Sequence, residues 1–209
     1  MTDTSRIRIM CVDDHPIFRQ GLAAVIASDP DLALVAESGS GEQAIEAYRA
    51  TRPDITLMDL RLPEMSGIEA ISLIRDEFDN ARIIVLTTET GDAQIQRALN
   101  AGAKGYALKG MPMAELIAII RAVHAGKTEI PGAVATSIAQ HLGEKPLSDR
   151  EIEVLTLIAD GHRNKAVADS LSISDETVKM HVKNCMAKLN ARDRTHAVTI
   201  AVQRGYITL

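Results

Sequence analysis

The chain predicts an α/β doubly wound sheet of five parallel strands, followed by an all-α domain of four helices built around a helix-turn-helix. Three observations carry that expectation. Five short apolar runs (Ile7 to Val12, Leu34 to Ala36, Ile55 to Met58, Ile83 to Leu86, Tyr106 to Leu108) are each followed by a stretch of helical period. This alternation is the pattern of a parallel sheet with crossover helices. The alternation stops at Leu147, after which only helical periods occur. Finally, Asp13 and Asp14, Asp59, Thr87 and Lys109 stand at the ends of four of those runs, and an open parallel sheet gathers its functional groups outside the carboxyl ends of its strands.

Taken in order, the helices of the first domain are read from Ile17-Leu22-Val25-Ile26, Ala44-Ile45-Tyr48, Ile68-Ile71-Leu73-Ile74, Ile95-Ala98-Leu99 and Leu116-Ile119-Ile120-Val123. This domain is expected over residues 1–125. Residues 126–146 hold Gly126, Pro131, Gly132, Gly143 and Pro146 around a weak apolar patch, and read as a linker with room for one short helix. Residues 147–209 open on Ser148-Asp149-Arg150-Glu151, a capping box. Helices are expected near 149–160, 165–171, 175–190 and 194–204, with Gly161 and Gly205 as C-terminal caps. The second and third are separated only by a tight turn around Ser172-Ile173-Ser174, the arrangement of a helix-turn-helix.

Composition narrows the function classes. Aromatic residues are few (Phe18, Phe78, Tyr48, Tyr106, Tyr206), so the core must be aliphatic. No apolar run approaches the roughly 20 residues of a membrane span, and the polar start, Met1 to Arg8, precedes no signal-peptide core. The expectation is a cytoplasmic protein with no membrane contact. Cys11 and Cys185 show neither ligand nor disulfide spacing and read as buried small hydrophobes. Residues 1–144 hold 13 basic against 20 acidic side chains, whereas residues 146–209 hold 9 against 8. Any nucleic-acid contact in the second half must therefore come from placed cations rather than bulk charge.

In the crevice, Asp13 and Asp14 leave the first strand together, and like charges that close resist joint ionisation unless a cation lies between them. Magnesium, a hard ion that prefers oxygen ligands, fits. Asp59 is then placed to act as a nucleophile toward a phosphoryl group, with Thr87 and Lys109 holding its oxygens. In the later helix, Val178, Val182, Cys185 and Leu189 form the buried stripe, so Met180, Lys183, Asn184 and Ala187 face outward. Lysine can donate to guanine, asparagine can pair with adenine and methionine can contact a thymine methyl; the alternative is an ordinary solvated face. The last helix carries Ala197, Val198, Ile200, Ala201 and Val202, and its apolar surplus suggests a twofold dimer through Val198, Ala201 and Val202 or a helix buried within a monomer.

Three ordered stretches resemble receiver signatures: Val12-Asp13-Asp14-His15-Pro16, Met58 through Gly67, and Ala101 through Lys109. Residues 7–125 thus look like a response-regulator receiver domain, of flavodoxin-like fold. Leu147 through Leu155, Asn164-Lys165 and Thr177 through Lys183 resemble the LuxR-type helix-turn-helix, so the chain as a whole is similar to the NarL/FixJ family of two-component response regulators. That resemblance implies a phosphorylation-gated DNA-binding transcription regulator. A sensor histidine kinase would phosphorylate Asp59, with Mg2+ held by Asp14, Asp59 and the backbone carbonyl of Arg61 and Asp13 helping through water. It implies Thr87 and Tyr106 as a switch pair, no other cofactor, and no enzyme activity beyond the receiver's own phosphotransfer and autodephosphorylation. Arg61 and Glu89 stand where the family tunes phosphate lifetime. Lys179, Met180 and Lys183 would meet bases, Asn164, Lys165 and Thr177 phosphates, and a phosphorylated homodimer would bind double-stranded DNA. His15 reads as a structural cap of the first helix. A phosphorylation-independent DNA binder that uses its receiver to dimerise is the alternative. A haloacid-dehalogenase-type phosphatase requires Asp-x-Asp after the first strand, where this chain has adjacent acids.

Overall fold

Five strands, β1 (Ile7–Val12), β2 (Leu32–Ser38), β3 (Ile55–Met58), β4 (Ile83–Thr87) and β5 (Gly105–Leu108), form one sheet in the order β2-β1-β3-β4-β5. Every neighbouring pair is parallel. The computed structural model describes residues 6–88, 91–141 and 143–207. The order reverses between β1 and β3, which makes the carboxyl ends of those two strands the topological switch point.

The helices are α1 (Pro16–Ser28), α2 (Gly41–Thr51), α3 (Gly67–Glu77), α4 (Asp92–Asn100) and α5 (Met113–His124). Side chains alternate across each strand. One face, with Ile9, Cys11, Ile55, Leu57, Ile84 and Leu86, packs against Leu22 and Ile26 of α1 and Leu116, Ile120 and Val123 of α5. The alternate residues Met10, Val12, Met58, Ile83, Val85 and Tyr106 are also buried, as are Ala44, Ile45 and Tyr48 of α2 and Ala70, Ile71 and Ile74 of α3. Burial on both faces explains why the central strands read as continuous apolar runs. Edge strand β2 is longer than the run Leu34 to Ala36 suggests, because the flanking residues Leu32, Ala33, Glu37 and Ser38 also pair with β1.

The chain divides into two compact units, the first reaching residue 132 and the second starting at 133, with residues 91–96 grouped in the second. The expected linker over 126–146 is therefore divided. Residues up to 132 stay with the sheet because the Glu129 carbonyl accepts from Tyr106 N (2.9 Å) and Glu129 N donates to the Lys104 carbonyl (3.0 Å). The short helix anticipated after them, α6 (Gly132–Gln140), lies almost wholly in the second unit and buries Val134.

The second unit continues with α7 (Asp149–Ala159), α8 (Asn164–Leu171), α9 (Asp175–Lys188) and α10 (Arg194–Gln203), within one or two residues of expectation. Helix α7 starts on a full capping box, in which the Ser148 side chain accepts from Glu151 N and the Glu151 carboxylate accepts from Ser148 N (2.7 Å). The turn between α8 and α9 is closed by Ser172 in a left-handed conformation (φ 52°), and Ser174 caps α9 by accepting from Thr177 N (3.1 Å). Val154, Ile158, Val167, Ala168 and Val178 make one core, and Leu155, Cys185, Leu189, Ala197 and Ala201 another. Among the described residues, no helix is long and apolar enough to cross a membrane.

Candidate functional site

The turns after β1, β3, β4 and β5 bring Asp13, Asp14, Asp59, Thr87 and Lys109 to one end of the sheet. Asp13 and Asp59 are only 1% and 2% exposed, yet both are carboxylates. What makes that tolerable is Lys109, whose Nζ lies 2.7 Å from Asp59 Oδ2 and 2.7 Å from Asp13 Oδ2. A buried charge needs such a partner. Burial pushes the Asp59 carboxyl above the usual carboxylate range, although Lys109 and the Arg61 amide, 3.3 Å from Oδ1, pull against it. Burial would lower the Lys109 ammonium, but its bonds to Asp13 and Asp59 outweigh that and hold it above the ordinary lysine value.

Asp13 Oδ2 and Asp59 Oδ2 thus share the single ammonium of Lys109. Two carboxylates against one ammonium leave negative charge for a further cation. Ligand atoms of Asp13, Asp14, His15 and Asp59 all lie within 4.8 Å of one another. The oxygen-rich donor set and its excess of negative charge fit a hard divalent ion such as Mg2+.

His15 departs from its expected role. It occupies the N-cap position of α1 but makes no side-chain cap bond. Its Nδ1 instead approaches Asp14 Oδ1 (2.6 Å) and Asp13 Oδ1 (3.2 Å), while its backbone N donates to Asp13 Oδ1 (2.9 Å), because Asp13 and Asp14 offer far stronger acceptors than the helix end offers donors. Arg19 of α1 donates to the Asp13 carbonyl, a contact that no strand-end pattern announces.

Gly67 is the other residue the strand-end reading passes over. A Cβ there would lie 1.9 Å from the Asp59 carbonyl oxygen, and Gly67 N donates to the Leu60 carbonyl (3.0 Å). Only glycine lets α3 start this close to the Asp59 backbone. The signal was present as Ser66-Gly67-Ile68-Glu69, a capping box in which Ser66 N donates to Glu69 Oε2 at 2.9 Å. Those bonds hold the Glu69 carboxyl below its usual range.

Thr87 is buried at the end of β4, and its carbonyl accepts from Lys109 N (2.9 Å). The Tyr106 ring already lies wholly inside. Glu89 lies outside the described residues. Beside Asp59 a cavity of about 730 Å3 opens between α1 and α5, lined by Phe18, Arg61, Thr88 and Lys109 and flanked by Ile17, which is 86% exposed.

On the second unit, α9 buries Val178 and Cys185 and exposes Met180 (52%), Lys183, Asn184 and Ala187, as the stripe requires. Lys179 is also exposed, but its ammonium is held on its own helix by Asp175 (2.8 Å) and Glu176 (2.9 Å), which raise its pKa. Thr177 is tied into the cap through its Oγ1, 2.8 Å from Ser174 Oγ. At the start of α8, Lys165 is exposed, and the Asn164 carbonyl oxygen accepts from Arg194 Nη1 at 3.5 Å. Arg194 also donates to the His162 carbonyl (3.2 Å) and so fixes this loop, a role unseen in sequence.

Two further residues complete the second unit. Glu151 pairs with Lys188 (2.7 Å) as well as capping α7; burial would raise its pKa, but Lys188 and Ser148 overcome that and lower it. Ala201 corrects an expectation: it is 0% exposed within the unit's own core and offers nothing to a dimer face. Val198 and Val202 are partly covered by the same core, so the outward strip of α10 is the polar set Thr195, Thr199 and Gln203. Cys11 and Cys185 are buried and free, with thiols pushed up to about 12 by burial.

Comparison with known proteins agrees with this geometry. Residues 9–121 match the response regulator receiver domain, and residues 145–201 match the bacterial regulatory proteins of the luxR family. YhcZ of Bacillus subtilis (strain 168), named an uncharacterized transcriptional regulatory protein, is 39% identical over 206 residues, covering 94% of this chain and 96% of its own length. The solved response regulator ChrA of a heme-sensing two-component system is 33% identical, with a TM-score of 0.58 over 97% of this chain and all of that one. A structure of two RcsB dimers bound to two parallel DNAs is 25% identical with a TM-score of 0.68, covering 95% of this chain and 98% of that one. The chain belongs to the two-component response regulators that join a receiver domain to a LuxR-type helix-turn-helix DNA-binding domain.

Proposed function

We propose that a sensor histidine kinase phosphorylates Asp59 and that the resulting charge controls how the chain dimerises and binds promoter DNA in the cytoplasm. The observation that carries this reading is the convergence of Asp59, Asp13 and Lys109 in one nearly dry crevice at the β1/β3 switch point. The Asp59 carboxylate attacks phosphorus, a P–O bond forms, and the P–N bond to the kinase histidine breaks with its electron pair leaving on the imidazole. The raised Asp59 pKa reflects the cost of keeping a carboxylate charged here, and Lys109 maintains the anionic form. Asp13, Asp14, Asp59 and the Arg61 carbonyl would hold Mg2+, which offsets negative charge on the phosphoryl oxygens. The exposed apolar side chain of Ile17, with Phe18 beside the opening to Asp59, suits a helical partner that delivers the phosphoryl group.

Phosphorylation adds about −1.5 to −2 charge and three acceptor oxygens to the crevice. Lys109 and Thr87 are the groups able to follow them, and Thr87 shares a backbone bond with the strand carrying Tyr106. Moving the active fraction from 1% to 99% requires about 5.5 kcal/mol of differential stabilisation. Several charge-assisted hydrogen bonds supply energies of that order. On the DNA side, Met180, Lys183 and Asn184 read bases in the major groove while Asn164, Lys165 and Thr177 meet phosphates; Lys179 joins them by leaving Asp175 and Glu176. The homodimer presents two such helices, a reading supported by the DNA-bound RcsB dimers.

The test is DNA binding with sequences selected from random duplexes, measured with and without acetyl phosphate and Mg2+. Phosphoryl donor should tighten binding of the wild-type chain and leave Asp59→Asn unchanged. Equal binding under both conditions would favour the phosphorylation-independent alternative.

A further inference from the structure

We propose that the opposite pole of the receiver unit carries a second ligand site, for a small polyanion bearing two or more phosphate or carboxylate groups. A cavity of about 850 Å3 lies where the strands begin, built from the turns before β3, β4 and β5 and from the end of α5. That volume is in the range of small-molecule pockets. It lies beyond Ile55, whereas Asp59 lies beyond Met58, so the length of β3, roughly 13 Å, separates the two.

Five cations line it: Arg52, Arg75, Arg82, Lys104 and Lys127. Its carboxylates are Asp54 and Asp79, so five against two leaves a local charge of +3. Residues 1–144 carry 13 basic and 20 acidic groups, so the concentration of positive charge here runs against its surroundings. Asp54 is moreover engaged, its Oδ2 accepting from Arg8 N at 2.8 Å. Among the described residues, the side chains of Arg82, Lys104 and Lys127 form no hydrogen bond or salt bridge.

Two of the three guanidiniums, those of Arg75 and Arg52, are held in advance of any ligand. Arg75 donates to the Asp79 and Ala81 carbonyls. It passes against Gly102, where φ is +106° and a Cβ would lie 2.8 Å from Arg75 Nε. Arg52 is a left-handed cap (φ 46°) whose guanidinium lies 3.6 Å from the centroid of Phe78, itself stacked on Tyr48 at 5.1 Å. Fixed guanidiniums suit the planar, paired oxygens of phosphate and carboxylate, and prior ordering lowers the entropy lost on binding. Because the surrounding surface is acidic, a long polyanion such as nucleic acid would be repelled outside the cavity, whereas a compact one fits within it.

The experiment is a titration of the full-length chain, in physiological salt, with tripolyphosphate and separately with citrate, read by backbone amide NMR shifts. The expected result is saturable shifts at 52, 54, 79–82, 104–105 and 126–127 with at least one probe, the stronger one identifying the group recognised. Asp59→Asn should bind equally, which keeps this site independent of the phosphoacceptor. The pair Arg82→Ala and Lys104→Ala should weaken binding by about tenfold or more, as loss of charged hydrogen bonds predicts. Lys104→Glu, at an exposed position, serves the same purpose if truncation of Arg82 unfolds the domain. Absence of saturation at millimolar probe, shifts centred on α9 or Asp59, or affinity unchanged in these variants would each overturn the proposal.

Discussion

The acidic crevice and the outward face of α9 both work with charged side chains, but they set those charges in opposite environments. In the crevice, Asp13, Asp59 and Lys109 are almost wholly buried and meet at 2.7 Å. On the outward face of α9, Lys183, Asn184 and Lys179 are exposed to water, and the ion pairs of Lys179 are with neighbours on its own helix. Burial makes each interaction in the crevice strong and its loss costly. Exposure makes each contact on α9 weak, so grip must come from several residues acting together. The first environment suits a switch that responds to one group; the second suits a surface that discriminates among many sequences.

Substitutions can break or sharpen this contrast. The largest effect is expected for Lys109→Ala, which leaves Asp13 and Asp59 buried without their cation and should cost about 3–5 kcal/mol of stability at neutral pH. The sign with pH follows from Asp59: burial already raises its pKa and loss of Lys109 raises it further, so stability is retained at low pH and lost as pH rises through the shifted range. Urea unfolding across pH, with and without Mg2+, measures this; a penalty independent of pH would contradict it. Gly67→Ala comes next, at about 1–3 kcal/mol for the clash with the Asp59 carbonyl, together with slower phosphorylation. Unchanged phosphorylation kinetics in that variant would mean that α3 can retreat without disturbing Asp59.

Effects in the second unit should be smaller. Glu151→Ala removes the carboxylate half of the α7 capping box and the partner of Lys188, costing about 1–2 kcal/mol. Because the Glu151 pKa is lowered in the folded state, its contribution is present at neutral pH and lost as pH falls through the acid range. Thermal melts of wild type and variant should therefore converge in acid. Lys183→Ala should weaken binding to the selected DNA by about 1–3 kcal/mol and alter base preference. Lys179→Ala should do less, because that ammonium must first leave Asp175 and Glu176. Binding isotherms that rank the two lysines in the reverse order would relocate the base-reading surface.

The same contrast explains what was legible in the sequence. Asp13, Asp59, Thr87 and Lys109 could be placed because each terminates an apolar run, and a parallel sheet turns that one-dimensional position into convergence. Met180, Lys183 and Asn184 could be placed because a helix with Val178 and Cys185 inside has only one outside. Features depending on two elements meeting were not readable: Arg19 on the Asp13 carbonyl, Glu151 on Lys188, Arg194 on the loop before α8, and Glu129 on the strand β5 backbone. His15 was misjudged because position alone suggested a cap while proximity to two carboxylates decided its bonds. Ala201 was misjudged because counting apolar residues along α10 does not say which of them the core consumes.

Intact mass spectrometry after incubation with acetyl phosphate and Mg2+ decides whether Asp59 is the phosphoacceptor. One added phosphoryl group is expected on the wild-type chain and none on Asp59→Asn. Equal labelling of the two proteins would contradict it.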